Sequence, residues 1–288
     1  MSSTNAQFTK LWDNKTLDLR DIVVEVGRVA DMNEQQLGRM YDIFNRYGVA
    51  IVQHAEVAEP VEEMMALGTY YGRSVIHDRA DARGLVVVTE LSGYGEFVGA
   101  SSGPHLMHTG GTFMPWEHVP KVVLLQCEHQ ARVGGRSTVA SGAAAFRYLK
   151  EHHPDALALL RAPDVFAVKR SARGVGSFGD TGGVAKPNFD QGRLPDDRFW
   201  LTFRFDGQVK LDLRPDAAHE AFDKLLDFFN RSENQIDFKL QRNQILVCDN
   251  TSVVHARTAF QTGSGRKLNR LQLDGEHASL VFGFPEPK

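Results

Sequence analysis

A chain of 288 residues, 42% hydrophobic and 24% charged, is long enough for one sizeable core and has the balance of a soluble globular protein, read here as one domain over 1–288. Its net charge of −3 argues against a general nucleic-acid-binding surface, and no run of 18 apolar residues predicts a membrane span. The N-terminal MSSTNAQFTK has no apolar secretory core, and Cys127 and Cys248 both end apolar runs outside any metal-binding cysteine motif, so a cytoplasmic protein with reduced, buried thiols is expected.

Residues 1–7 are polar and expected to be loose. Residues 34–47 predict an amphipathic helix, with Leu37, Met40, Tyr41 and Phe44 on one stripe. A short buried strand follows at 49–52, and a second helix at 60–71 begins with Pro60. Residues 85–89 read as a β-branched strand, and the Gly- and Ser-rich 91–104 as a loop at the mouth of a site. Strands are expected at 122–126 and 138–140, then helices at 143–152 and 154–160 over a barrel. The glycine-rich 170–193 has no apolar period and predicts a long functional loop or lid. Residues 199–205 and 208–213 predict a hairpin turning at Asp206-Gly207. A strong amphipathic helix at 215–230 carries Ala218, Phe222, Leu225, Leu226 and Phe229. Strands at 245–249, 252–255 and 268–273 close the barrel. There is no internal repeat and no low-complexity segment. This order fits a mainly β fold with flanking helices, a double-stranded β-helix or jelly roll whose mouth is a natural ligand pocket.

Two histidines far apart in the chain, His108 and His255, each adjoin an apolar strand-like run and suggest two ligands on one metal. Two imidazoles and one carboxylate on one face of Fe(II) leave three positions for oxidant and substrate. On a strand, residues two apart point to the same side, so a carboxylate at 110 would join His108 on the ion. Position 110 is glycine. It brings no ligand and removes bulk, so a small anion such as chloride can take that place. Burying an anion requires nearby donors. The backbone of Gly110 and Gly111, the hydroxyls of Thr109 and Thr112, and Arg257 are the candidates.

From about Leu37 to Asp274 the chain resembles the taurine dioxygenase-like family of Fe(II)/2-oxoglutarate-dependent oxygenases. The resemblance is carried by an ordered series: YGVAIV at 47–52, LGTYYG at 67–72, HTGGTF at 108–113, GGRST at 134–138, CDN at 248–250, VHAR at 254–257 and RKLNR at 266–270. No single piece is specific; the order across most of the chain is. The resemblance implies a jelly roll, with Fe(II), 2-oxoglutarate and O2 as cofactors. It makes His108 and His255 the iron ligands and places Arg266, eleven residues beyond His255, on the distal carboxylate of 2-oxoglutarate. A planar guanidinium suits that carboxylate. Ser137 matches a hydroxyl that binds the same carboxylate. The plain alternatives are a solvated arginine in the 263–267 turn and an ordinary strand hydroxyl.

The departure is at 110, where the family has Asp or Glu. Glycine there resembles the halogenase branch, in which chloride takes the vacant ligand position. It implies chlorination of an unactivated C–H bond in secondary metabolism such as antibiotic biosynthesis, with 2-oxoglutarate oxidised to succinate and CO2. A hydroxylase that tolerates glycine, and a non-catalytic relative, stay open.

For the substrate, Lys169, Arg170 and Arg173 interleave with Gly and Ser in a plausible phosphate clamp, or form a solvated basic loop. The resemblance adds His77, with Arg79 nearby, as residues that face substrate, and Arg270, which matches a position that meets substrate in some members and is otherwise a surface charge. Phe203, Arg204 and Phe205 lie on a strand lining the pocket, where Phe205 can stack on a base; core packing is the commoner role. A nucleoside monophosphate, such as deoxyadenosine monophosphate chlorinated at C2′, fits the basic loop. Free amino acids and carrier-protein-bound substrates remain alternatives.

Overall fold

The computed structural model describes residues 8–77, 79–91, 98–169, 183–205 and 210–288. Its strands are β1 (Val23–Glu25), β2 (Val49–Gln53), β3 (Val86–Thr89), β4 (His105–His108), β5 (Val122–His129), β6 (Ser137–Ser141) and β7 (Phe166–Lys169). There follow β8 (Phe189–Gln191), β9 (Phe199–Leu201), β10 (Lys210–Leu213), β11 (Gln235–Phe238), β12 (Gln244–Asp249), β13 (Val253–Arg257) and β14 (Lys267–Leu273). The α-helices are α1 (Glu34–Tyr47), α2 (Pro60–Gly68), α3 (Gly142–His152), α4 (Pro154–Leu160) and α5 (Ala218–Asn230).

A six-stranded major sheet, β1-β2-β12-β5-β14-β3, faces a four-stranded minor sheet, β11-β6-β13-β4, in the expected jelly roll. Helices α1 and α2 cover the major sheet, where Met40, Phe44, Met64, Leu67, Leu246 and Leu271 form one apolar cluster. Helices α3, α4 and α5 form a second with Phe146, Phe166, Phe199, Phe203, Phe222 and Phe229. Helix α1 begins at a reciprocal Asn33–Gln36 capping box and stops at Gly48, whose φ of 71° is left-handed. A Cβ there would lie 2.7 Å from Ser252 Oγ, so glycine serves both the turn and the close approach. Among the described residues no helix is long and apolar enough to cross a membrane.

Several expectations need correction. Residues 199–205 and 208–213 do not form a hairpin: β9 pairs with β8, and β10 with β7. Alternation located strands here, but β9 pairs back with the strand just before it and β10 reaches the more distant β7, whose Phe166 buries with Phe189 of β8 in the second cluster. The supposed 170–193 loop is partly built into the fold, because Lys186 bridges Phe166 and β8 follows. Its 170–182 portion, like the expected loose 1–7, lies outside the described residues.

A buried polar knot ties the chain's ends to the sheets. Lys10 Nζ donates to Asp249 and to the Val281 carbonyl at 2.6 Å, and Ser141 Oγ donates to the Lys10 carbonyl at 2.6 Å. Asp249 also accepts from the hydroxyls of Thr251 and Ser252. Arg198 donates to the carbonyls of Phe8, Phe282 and Gly283. Burial pulls the Lys10 ammonium down to about 8, against the opposing pull of Asp249.

Candidate active site

The minor sheet sets the site in rows. Directly opposed residues of an antiparallel pair face the same side. His108 opposes His255 on β13 and bridges Arg204 on its other flank, so Arg204, His108 and His255 share one row. The two imidazole centroids are 4.3 Å apart at 52°. His108 Nδ1 lies 2.8 Å from the Leu106 carbonyl. A carbonyl only accepts, so that nitrogen carries the proton and Nε2 keeps its lone pair for a metal.

The next row is His105, Arg257 and Ser137. Between the two rows β13 advances two residues and β4 three, with a register shift between them. The extra β4 residue resets the pleat and turns His105 onto the face of His108. The two rings stack at 3.8 Å and 19°. Beyond this row, Arg266 and Arg257 both lie on the Phe260 ring, at 5.1 and 4.7 Å. Arg266 is cradled by Gly135, where a Cβ would come within 2.7 Å of its Nε and φ is 68°.

The interior is cationic. Neither Arg266 nor Arg270 has an ion-pair partner among the described residues. Burial lowers both to about 10; for Arg270, Arg79 and Arg204 push the same way. His255 is pushed down to about 4 by burial, then by Arg270 and Arg204, and burial holds His105 and His108 well below the ordinary imidazole value. All three are neutral at pH 7, as metal ligands and neutral donors must be. Buried atoms without a partner among the described residues include His105 Nε2, His255 Nδ1, Arg257 Nε, Arg270 Nε and Gln272 Oε1. Orphaned donors among unpaired cations are the chemistry of a site that takes anions. Two neutral imidazoles fit Fe(II), with its remaining positions left to ligands from outside the chain. Among the described residues no three His, Cys, Asp or Glu side chains are grouped to hold a metal.

Gly110 follows His108 on the side away from Arg257. Asn250, fully buried, grips it at both backbone atoms: Gly110 N donates to Asn250 Oδ1 at 2.6 Å, and Asn250 Nδ2 donates to the Gly110 carbonyl at 3.0 Å and the Pro120 carbonyl at 2.7 Å. Unlike Gly111 (φ 72°), Gly110 is not left-handed. A Cβ there would meet Gln272 Nε2 at 3.1 Å, the movable end of a side chain, and Asn250 Oδ1 at 3.4 Å. The fold does not demand glycine at 110.

The expected halide donors fare unevenly. Thr109 is a correction: its hydroxyl accepts from Phe203 N at 3.1 Å and donates to Phe203 O at 3.3 Å, so it braces the strand. The Gly110 N–H is likewise taken by Asn250. Arg257 is misplaced in the expectation: it opposes His105, at the Arg266 end, and its Nη2 donates to the Ser101 and Gly103 carbonyls. Gly111 serves a turn, its carbonyl accepting from Met114 N at 2.9 Å. Thr112 Oγ1, by contrast, is buried without a protein partner.

Of the expected substrate residues, Phe205 is a correction. Phe203 and Phe205 pack on Phe222 at 5.0 and 6.5 Å, in the α5 cluster. Alternation therefore turns Arg204, between them, toward the histidines. Arg270 faces the interior, and Arg79 acts on it electrostatically. His77 Nδ1 accepts from Arg79 N at 3.1 Å. Lys169 lies on β7, and Arg170 and Arg173 fall outside the described residues. Sequence reading missed His105, Asn250 and Gln272. Arg204 was legible from its two apolar neighbours; His105 was not, because only the bulge turns it.

Residues 15–272 match the family described as taurine catabolism dioxygenase TauD, TfdA family. The chain is 26% identical over 284 residues to FR-33289 synthase of Streptomyces rubellomurinus, covering 95% of this chain and 80% of that protein. It is 24% identical over 250 residues to gamma-butyrobetaine dioxygenase of Homo sapiens, covering 80% of this chain but only 57% of that protein's length. Among solved structures it resembles the non-heme iron oxygenase OrfP in complex with Fe, succinate and (3R,4R)-dihydroxy-L-Arg, with a TM-score of 0.63 and 15% identity, covering 86% of this chain and 83% of that one. The chain belongs to the TauD/TfdA family and is an Fe(II)/2-oxoglutarate-dependent oxidoreductase acting on small molecules.

Proposed function

We propose that this protein is an Fe(II)/2-oxoglutarate-dependent halogenase that chlorinates an unactivated C–H bond of a small anionic molecule in secondary metabolism. A nucleoside monophosphate such as deoxyadenosine monophosphate, attacked at C2′, is the preferred substrate. The carrying observation is Gly110. Its backbone is not left-handed, and the tightest contact of a Cβ there is the movable end of Gln272 at 3.1 Å, with Asn250 and Val123 at ordinary contact distance, so the missing carboxylate is not a folding requirement.

Iron and 2-oxoglutarate, when bound, supply oxidation of a C–H bond, with succinate and CO2 as by-products. The chain's residues do the rest. His108 and His255 hold the metal as neutral imidazoles, His108 oriented by its bond to Leu106. Gly110 leaves one position to chloride. Arg266, with Ser137 in the neighbouring row, binds the distal carboxylate of 2-oxoglutarate. Arg270 and Arg204 line the interior wall with positive charge and suit an anionic substrate, and Lys169, Arg170, Arg173 and His77 are proposed as further substrate contacts on the strength of the sequence.

Hydroxylation is the second reading, favoured by the relatives, which include a dioxygenase and an oxygenase solved with a dihydroxylated arginine. The test is anaerobic loading with Fe(II), 2-oxoglutarate and chloride, then oxygen and a panel of deoxynucleotides, nucleosides and amino acids. Mass spectrometry reads the chlorine isotope pattern. A chlorinated deoxynucleotide is expected; a hydroxylated product indifferent to chloride overturns the halogenase reading. Gly110→Asp should shift product toward hydroxylation.

A further inference from the structure

The β4 bulge brings a third imidazole to the interior face, and neither the iron pair nor the arginines account for it. His105 stacks on His108 at 3.8 Å, and its Nε2 is buried with no partner among the described residues. Its row-mates are Arg257 and Ser137, and Arg257 shares the Phe260 ring with Arg266. His105 therefore lies one row from the His108–His255 pair, in the row of Arg257 and Ser137, with Arg266 beyond that row on the Phe260 ring. A dicarboxylate held by Arg266 at one end and by a metal on His108 and His255 at the other would cross the row of His105. A buried ring nitrogen with no protein partner among the described residues faces a site for a ligand carrying four carboxylate oxygens and a ketone, and protonated it has no acceptor but such a ligand.

We propose that His105 is a further binding residue for the 2-oxo-dicarboxylate co-substrate, its Nε2–H donating to an oxygen of the bound oxo acid between Arg266 and the iron ligands. The bulge is the device that places it, since a regular strand would turn residue 105 to the face opposite His108. This inference rests on the reading that His108, His255 and Arg266 hold iron and 2-oxoglutarate; it is independent of whether the product is chlorinated.

The test measures binding rather than turnover. The full chain, loaded anaerobically with Mn(II), is titrated with 2-oxoglutarate by calorimetry, as wild type, His105→Phe, His105→Gln and Arg266→Ala. Phe keeps a flat ring on His108 but has no donor; Gln keeps a donor without the ring. Loss of a hydrogen bond to a charged group predicts about tenfold weaker binding in His105→Phe. His105→Gln should recover part of that loss, and Mn(II) affinity should be unchanged in both. Wild-type 2-oxoglutarate affinity in His105→Phe, with Arg266→Ala weakened, overturns the inference alone. Undiminished affinity in Arg266→Ala overturns the underlying reading of the site. A loss confined to Mn(II) affinity assigns His105 to bracing His108 and also overturns the proposal. Should His105→Phe not fold, wild-type affinity in His105→Ala, assayed in the same way, overturns it instead.

Discussion

Two buried polar clusters lie in this molecule and are built on opposite principles. Around Asp249, every charge has its counterpart: Lys10 and Asp249 pair, Thr251 and Ser252 donate to the carboxylate, and Arg198 is spent on carbonyls. None of these side chains holds a buried atom without a partner. Around His108, three imidazoles and the arginines 204, 257, 266 and 270 crowd together, and among the described residues the groups acting electrostatically on the three histidines include no carboxylate. Orphaned nitrogens recur there. A satisfied polar knot stabilises the fold as it stands; an unsatisfied cationic one is completed by ligands.

Mutations can break or sharpen this contrast. Lys10→Met strands the Asp249 carboxylate and should cost about 3–5 kcal/mol of stability by thermal or denaturant unfolding. Arg270→Met, in the other cluster, should leave stability unchanged or raise it, because it removes a buried cation with no counter-charge; a loss as large as that of Lys10→Met would erase the distinction. Arg266→Lys replaces a fork by a point charge and should raise the 2-oxoglutarate KM about 10- to 100-fold, read in succinate release. Asn250→Ala leaves both Gly110 backbone groups and the Pro120 carbonyl unpaired and should cost about 1–3 kcal/mol. Phe205→Leu should cost under about 1.5 kcal/mol and leave substrate KM untouched, since the ring packs on Phe222.

Acid should act on the ligand cluster in a defined window. The histidines titrate lower in the folded chain than in the unfolded one, which therefore binds protons first as pH falls. Their contribution is fully present above about 6.5 and drains away as pH drops toward 4 for His255, taking iron affinity with it. Midpoints of thermal unfolding between pH 7.5 and 4.5, with and without Fe(II), check this; a flat profile would mean the imidazoles are not neutralised by burial.

Much of this architecture could be read from residue order. Helix α1 ends where its capping residues say it should, because capping and the 3.6-residue period act within a few neighbours. Val49, Val122 and Ile245 announce buried strands by their own composition. What escaped was information held between distant segments. The 199–213 hairpin failed because β8 and β7 compete for its two strands. Phe205 was read onto the wrong face of a correctly located segment. His108 and His255 do face one another across β4 and β13, and Ser137 shares a row with Arg257 beside Arg266. His105 depended on a one-residue slip between strands, which no pattern in the chain marks.

Lys10 has one more consequence, and it concerns handling of the protein. Its ammonium reaches Asp249, whose neighbour Asn250 clasps both backbone atoms of Gly110. The tenth residue is thus linked through Asp249 and its neighbour Asn250 to Gly110, the position on which the proposed chloride site turns. An enzymologist who trims the first dozen residues, or fuses a tag at that point, is adjusting the underside of the proposed active site, and product distribution belongs beside yield among the things to check afterwards.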